Sequence, residues 1–210
     1  MSTVLVITSS ALGAASVSNQ LVRDAVAQLR SQNSALKVIT RDLGNDPIPH
    51  LNSDSAAALR GAAPANDAQG AAAELSKKLI AEIEDADTLV IGAPMYNFGI
   101  PSILKTWFDY VLRAGLTFRY TEAGPVGLLH GKRAIVIESR GGWYSDGPAK
   151  SMDAQEPHLR ALLGFIGIAD VTFIRAERLA FGADVRQQSI DAARKELGRV
   201  IRPDQYFRAA

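Results

Sequence analysis

Two periods of apolar residues alternate along the chain. Five short runs, Val4–Ile7, Leu36–Arg41, Thr88–Ile91, Arg133–Glu138 and Val171–Ile174, are β-branched or apolar and bounded by polar or turn-forming residues. Such runs read as strands buried within a sheet. Between them the period lengthens to that of a helix. Ser16 or Ser18 can cap one helix with Leu21, Val22, Ala25, Val26 and Leu29 along one side. Ala71–Asp85 carries Leu75, Leu79, Ile80 and Ile83 at helical spacing. Pro101-Ser102 can start a third helix with Ile103, Trp107, Val111 and Leu112 on its apolar face, widened by Leu104 and Phe108. Asp153–Leu163 and Asp184–Gly198 complete the helical set, the last capped by Asp184 and stopped by glycine. Strand and helix in alternation predict a parallel sheet with helices on both faces. Five repeats fit a three-layer sandwich better than a barrel, which needs eight.

Two stretches leave this rhythm. Residues 42–70 hold three Pro, three Gly and many Ala, Asn and Asp, and predict an excursion with one short helix near Ser53–Arg60. Leu116–Tyr120 alternates as a strand does, then meets a turn-rich loop from Glu122 to Leu129. Neither a repeat nor a linker divides the chain, so one domain over residues 1–210 is expected.

An apolar fraction of 47% supports a large core, and a formal net charge of +1 provides no field to attract nucleic acid or an anionic membrane. With no run long enough to span a bilayer and no signal-peptide pattern before Val4, a cytoplasmic protein is expected. The absence of cysteine excludes thiol redox chemistry and thiolate-bound clusters, so electron transfer would need a bound cofactor. His50, His130 and His158 have no spacing that suggests a triad or a metal site.

Candidate chemistry lies where three of the strands end, because an open parallel sheet binds ligands beyond its carboxyl edge. Past the first strand, Ser9, Ser16 and Ser18 surround a helix start suited to a phosphate, although serines there also serve as plain caps. Neither Gly-x-Gly-x-x-Gly nor a Walker-type loop is present. Past the third strand, Met95-Tyr96-Asn97-Phe98 offers two rings and a thioether that can face a flat heterocycle, or form an aromatic satellite of the core. Past the fourth, Gly141-Gly142 exposes successive amides or simply makes a tight turn, and Arg140 fits a salt bridge as well as a ligand.

In these three exits, in Phe118-Arg119-Tyr120 before Glu122-Ala123-Gly124-Pro125, and in Leu163-Gly164-Phe165-Ile166-Gly167, the chain resembles the FMN-dependent NADH:quinone oxidoreductase and azoreductase family. The resemblance implies a flavodoxin-like α/β sandwich with a five-stranded parallel sheet of order 2-1-3-4-5. It implies that Ser9, Ser16, Val17 and Ser18 hold the FMN phosphate, that Met95, Tyr96, Asn97 and Phe98 line the ring system, and that Ser139, Arg140, Gly141 and Gly142 hold its polar edge. No protein nucleophile is implied; Asn97, Phe98, Phe118 and Tyr120 are the substrate-orienting candidates. It further implies NADH or NADPH as donor, quinones, azo compounds and nitroaromatics as acceptors in a ping-pong cycle, and a homodimer whose aromatic residues cover the substrate. Leu162 and Tyr144 stand where relatives vary, which bears on pocket size. An FMN-binding electron carrier serving a protein partner, and a non-catalytic flavin-binding regulator, are the competing expectations.

Overall fold

The computed structural model describes residues 2–61 and 63–201. Its central sheet comprises β1 (Thr3–Thr8), β2 (Lys37–Asp42), β3 (Thr88–Pro94), β6 (Arg133–Ser139) and β7 (Asp170–Ala176). All five are parallel, in the order β2-β1-β3-β6-β7. Counting only these five strands, that is the expected order 2-1-3-4-5. Every residue of β1 and β3 is buried, as their unbroken apolar sequences require of strands covered on both faces.

Helices α1 (Val17–Gln32) and α6 (Ala183–Val200) cover one face through Leu21, Val22, Leu29, Ile190 and Leu197. The other face carries α2 (Ser53–Leu59), α3 (Asp67–Asp85), α4 (Ser102–Val111) and α5 (Glu156–Phe165). Trp107 and Phe108 of α4 are fully buried and meet edge to face at 4.9 Å. Burying such side chains stabilises by about 2–3 kcal/mol each before entropy is charged against it. Among the described residues no helix is long and apolar enough to cross a membrane.

Helix boundaries depart from expectation for local reasons. α3 starts at Asp67 because the Asn66 side chain accepts the Gln69 amide, a cap that the alanine-rich start obscures. α5 starts at Glu156, since the Asp153 carboxylate accepts the amides of Gln155 and Glu156 in a turn ahead of it. α6 is preceded by Gly182 rather than capped by Asp184, and it runs through Gly198 to Val200. A helical glycine costs only about 1 kcal/mol, which burial of Leu197 and Ile201 on either side outweighs. The excursion after β2 is a lobe whose Leu43 and Ile48 enter the core.

The stretch read as a loop from Glu122 is half of a hairpin: β4 (Phe118–Thr121) pairs antiparallel with β5 (Gly124–Gly127). The Leu129 amide donates to the Ile166 carbonyl at 2.9 Å, fixing the hairpin to the end of α5. Gly127 there lies so close to the following turn that a Cβ would sit 2.1 Å from the Gly167 nitrogen. Gly127→Ala should therefore lower unfolding free energy by about 2 kcal/mol or more in a denaturant titration, the cost of overpacking against backbone that cannot yield. An unchanged midpoint would show that the hairpin docks loosely.

Candidate active site

The exits of β1, β3 and β6 all open at the carboxyl edge of the sheet. Ser16 caps α1, its Oγ accepting the Asn19 amide at 3.2 Å and lying 3.0 Å from Ser18 Oγ. That cap leaves the amides of Val17 and Ser18, in the first turn of the helix, with no acceptor among the described residues. With the positive end of the helix dipole behind them, they suit an anionic group. Ser9 is placed differently: it is fully buried, and its hydroxyl donates to the Gly92 carbonyl at 2.7 Å. In this arrangement its proton serves the joint between β1 and β3.

At the β3 exit, Tyr96 and Gly99 exchange two backbone hydrogen bonds, 3.0 and 3.1 Å long, around a two-residue turn. Asn97 and Phe98 hold φ of 48° and 72°, the left-handed geometry that such a turn demands. Asparagine accepts it readily; a phenylalanine there is strained, and such strain concentrates at ligand sites. The turn is pinned from both sides. The Ala11 amide donates to the Tyr96 hydroxyl at 3.1 Å, and the Met95 amide donates to the Ser139 carbonyl at 2.9 Å. The Asn97 and Phe98 amides have no acceptor among the described residues.

The β6 exit commits its carbonyls to the neighbouring segment that leaves the last strand of the sheet. Those of Arg140, Gly141 and Gly142 accept from the amides of Leu179, Ala180 and Arg178, at 3.2, 3.1 and 2.7 Å. The Gly141 and Gly142 amides are left without an acceptor among the described residues. Tyr144 folds back over Gly142 and meets Phe98 edge to face at 6.1 Å, closing the distance between the two loops.

Beneath this surface lies an ion cluster that no local motif announces. Arg140, proposed from sequence as a cofactor contact, has no exposed surface: its guanidinium lies 2.7 Å from Glu138 Oε2, 3.1 Å from Asp153 Oδ2 and 3.2 Å from Glu177 Oε1. Its backbone amide is likewise committed, to the Ala176 carbonyl. Arg140 therefore supports the loop from below, its guanidinium enclosed away from any ligand at the surface. Burial pushes the Glu138 carboxyl from 4.5 up to about 8, with Arg140 opposing the rise. Glu177 goes the other way: burial resists its ionisation, but hydrogen bonds from Ser145, the Tyr144 amide and Arg140 hold it below the ordinary range. Gln155, Glu177 and Glu138 were missed in the sequence because they come from separate elements and match no spacing rule.

The substrate-orienting candidates separate. Asn97 and Phe98 are exposed at the edge, whereas Phe118 turns inward against Phe165, ring centroids 4.5 Å apart. It supports Tyr120, which stands 72% exposed on the hairpin.

A parallel 2-1-3-4-5 sheet with unpaired amides and an aromatic turn beyond its carboxyl edge defines a flavodoxin-like protein, and residues 2–201 match the family model described as "Flavodoxin-like fold". Within that fold the chain belongs to the FMN-dependent NADH:quinone oxidoreductase and azoreductase family. It is 50% identical over 200 residues to an FMN-dependent NADH:quinone oxidoreductase of Hyphomonas neptunium, covering 95% of this chain and 96% of the relative. Among solved structures it resembles an azoreductase from Bacillus anthracis strain Sterne, with TM-score 0.87 and 29% identity over 96% of this chain and 99% of that one. An FMN-dependent NADH-azoreductase from Bacillus anthracis strain Ames Ancestor, solved in complex with FMN, gives TM-score 0.85 and 26% identity, covering 96% and 100%.

The raised Glu138 pKa has a pH signature. Between about 4.5 and 8 the unfolded chain loses this proton while the folded chain keeps it, so the contribution is full below pH 4.5 and is lost as pH rises through about 8. Unfolding free energy measured across that window should carry a decline of up to about 1.4 kcal/mol per pH unit that Glu138→Gln removes. Parallel pH profiles for the two proteins would contradict the assignment.

Proposed function

We infer that the protein is an FMN-dependent oxidoreductase that uses NADH to reduce quinones and azo compounds. The observation that carries this is that the Gly141 and Gly142 amides, at the site edge, have no acceptor among the described residues while their carbonyls are held by the amides of residues 178–180. Donors fixed in this way favour negative charge at the polar edge of a bound ring system without reorganising. The remaining parts fit the same cofactor: the amides at the start of α1 suit its phosphate, and the Asn97-Phe98 turn presents backbone donors and a ring beside its plane.

Bound FMN supplies the two-electron chemistry that these side chains lack. The protein's part is positional. Phe98 and Tyr144, in edge-to-face contact between the two loops, offer one aromatic surface that nicotinamide and acceptor would use in turn, orienting both partners of a ping-pong cycle. Ser16, Val17, Ser18 and Met95–Phe98 hold and face the cofactor, with Ser139, Gly141 and Gly142 at its polar edge. Ser9 and Arg140 hold those loops from inside. The proposal extends to nitroaromatic acceptors and to a homodimer in which the exposed Tyr120 of one protomer covers the substrate on the other. The names of the relatives do not favour the electron-carrier alternative.

Anaerobic addition of NADH to the FMN-loaded protein should bleach the flavin absorbance, and a quinone added to the same sample should restore it. Bleaching only with a second reductase present would identify an electron carrier. Gly141→Ala tests the cradle separately. A Cβ at position 141 meets only Ala180, at 3.8 Å, so the FMN-free protein should melt as before while FMN affinity falls about tenfold or more. Fluorescence titration with FMN decides this, and unaltered affinity would remove Gly141 from the site.

A further inference from the structure

The 95–98 turn and the 139–145 loop, which meet the cofactor in the function proposed above and on which this inference rests, are joined beneath the site by buried side chains. Gln155 has no exposed surface and bridges the two exits: its Nε2 donates to the Ala93 carbonyl at 2.8 Å, and its Oε1 accepts from Arg140 Nε at 3.0 Å. Glu177 grips the far end of the loop, accepting the Tyr144 amide at 2.9 Å, the Ser145 amide at 3.0 Å and the Ser145 hydroxyl. Its Oε1 also receives Arg140 Nη1 at 3.2 Å. The chain of contacts therefore runs from Ala93 through Gln155, Arg140 and Glu177 to Ser145. It passes under Gly141 and Gly142 without using their amides. The Ala154 amide adds a tie to the Phe98 carbonyl at 3.0 Å.

We propose that Gln155 and Glu177, acting through the buried Arg140 guanidinium, are positioning residues that fix the 139–145 loop against the 95–98 turn and so set the affinity and reduction potential of bound FMN. Two physical facts support this. Burying an ion cluster is a poor way to gain stability, because desolvation offsets the attraction and apolar packing of equal volume does as well or better. A planar guanidinium with several fixed donors, however, specifies distance and direction as apolar packing cannot. The quantity specified here is the aim of two amides, and electrostatic stabilisation of a reduced, negatively charged ring depends steeply on that aim.

The test is a redox titration of FMN-loaded wild type, Gln155→Met and Glu177→Ala, with FMN affinities and melting temperatures measured alongside. Gln155→Met preserves volume while removing both hydrogen bonds; Glu177→Ala frees the Tyr144 and Ser145 amides at a carboxylate that already touches solvent. Both variants should bind FMN about tenfold or more weakly and give a more negative midpoint potential, because the reduced form loses more than the oxidised form. A lower melting temperature with the wild-type potential would reduce these residues to structural support and overturn the proposal. Should Gln155→Met fail to fold, an unchanged potential in Glu177→Ala would overturn it alone. Wild type that does not bind FMN would overturn the functional proposal instead, so the two failures are distinguishable.

Discussion

A parallel pair of strands cannot be closed by a tight turn, and most of this molecule follows from that constraint. Each strand must return through a crossover before the next begins; the connections after β1, β2, β3 and β6 carry α1 to α5, and α6 follows β7, so that helices bury the sheet on both faces. All strand exits consequently meet at one edge. Residues 9–18, 95–98 and 139–145 are far apart in sequence and adjacent in space because β1, β3 and β6 are neighbours in register. The loops can specialise because the sheet has already settled where they are.

That division of labour explains what the sequence made legible. The strands, the cap at Ser16 and the apolar face of α4 are local: each follows from a run of about ten residues and a single period. Three loops of unusual composition were legible, and the structure brings them to one edge. Their foundation was not legible. Arg140 gathers Glu138, two residues before it, with Asp153 and Glu177 from two further places in the chain, and nothing around Arg140 signals the distant pair. Arginine before Gly-Gly looks like a ligand contact, yet burial turns it into the anchor of its loop.

Missed boundaries have a related cause. Gly-Pro-Val-Gly at β5 has the composition of a turn, and it is a strand because pairing with β4 and seating against Gly167 reward a backbone without bulk. Gly198 looks like a stop and is passed because Leu197 and Ile201 are buried by contacts beyond the helix. In both places tertiary packing overrules a local preference worth about 1 kcal/mol.

The glycine contact that seats the hairpin limits how this part of the surface can diversify. With backbone touching backbone at Gly127 and Gly167, the hairpin has no slack to slide or tilt on α5. Variation on the hairpin is left to the side chains it displays, the exposed Tyr120 above all, while the platform holding them stays fixed. Its surface would drift by substitution at the tip, with Phe118 and Phe165 as an unmoving base.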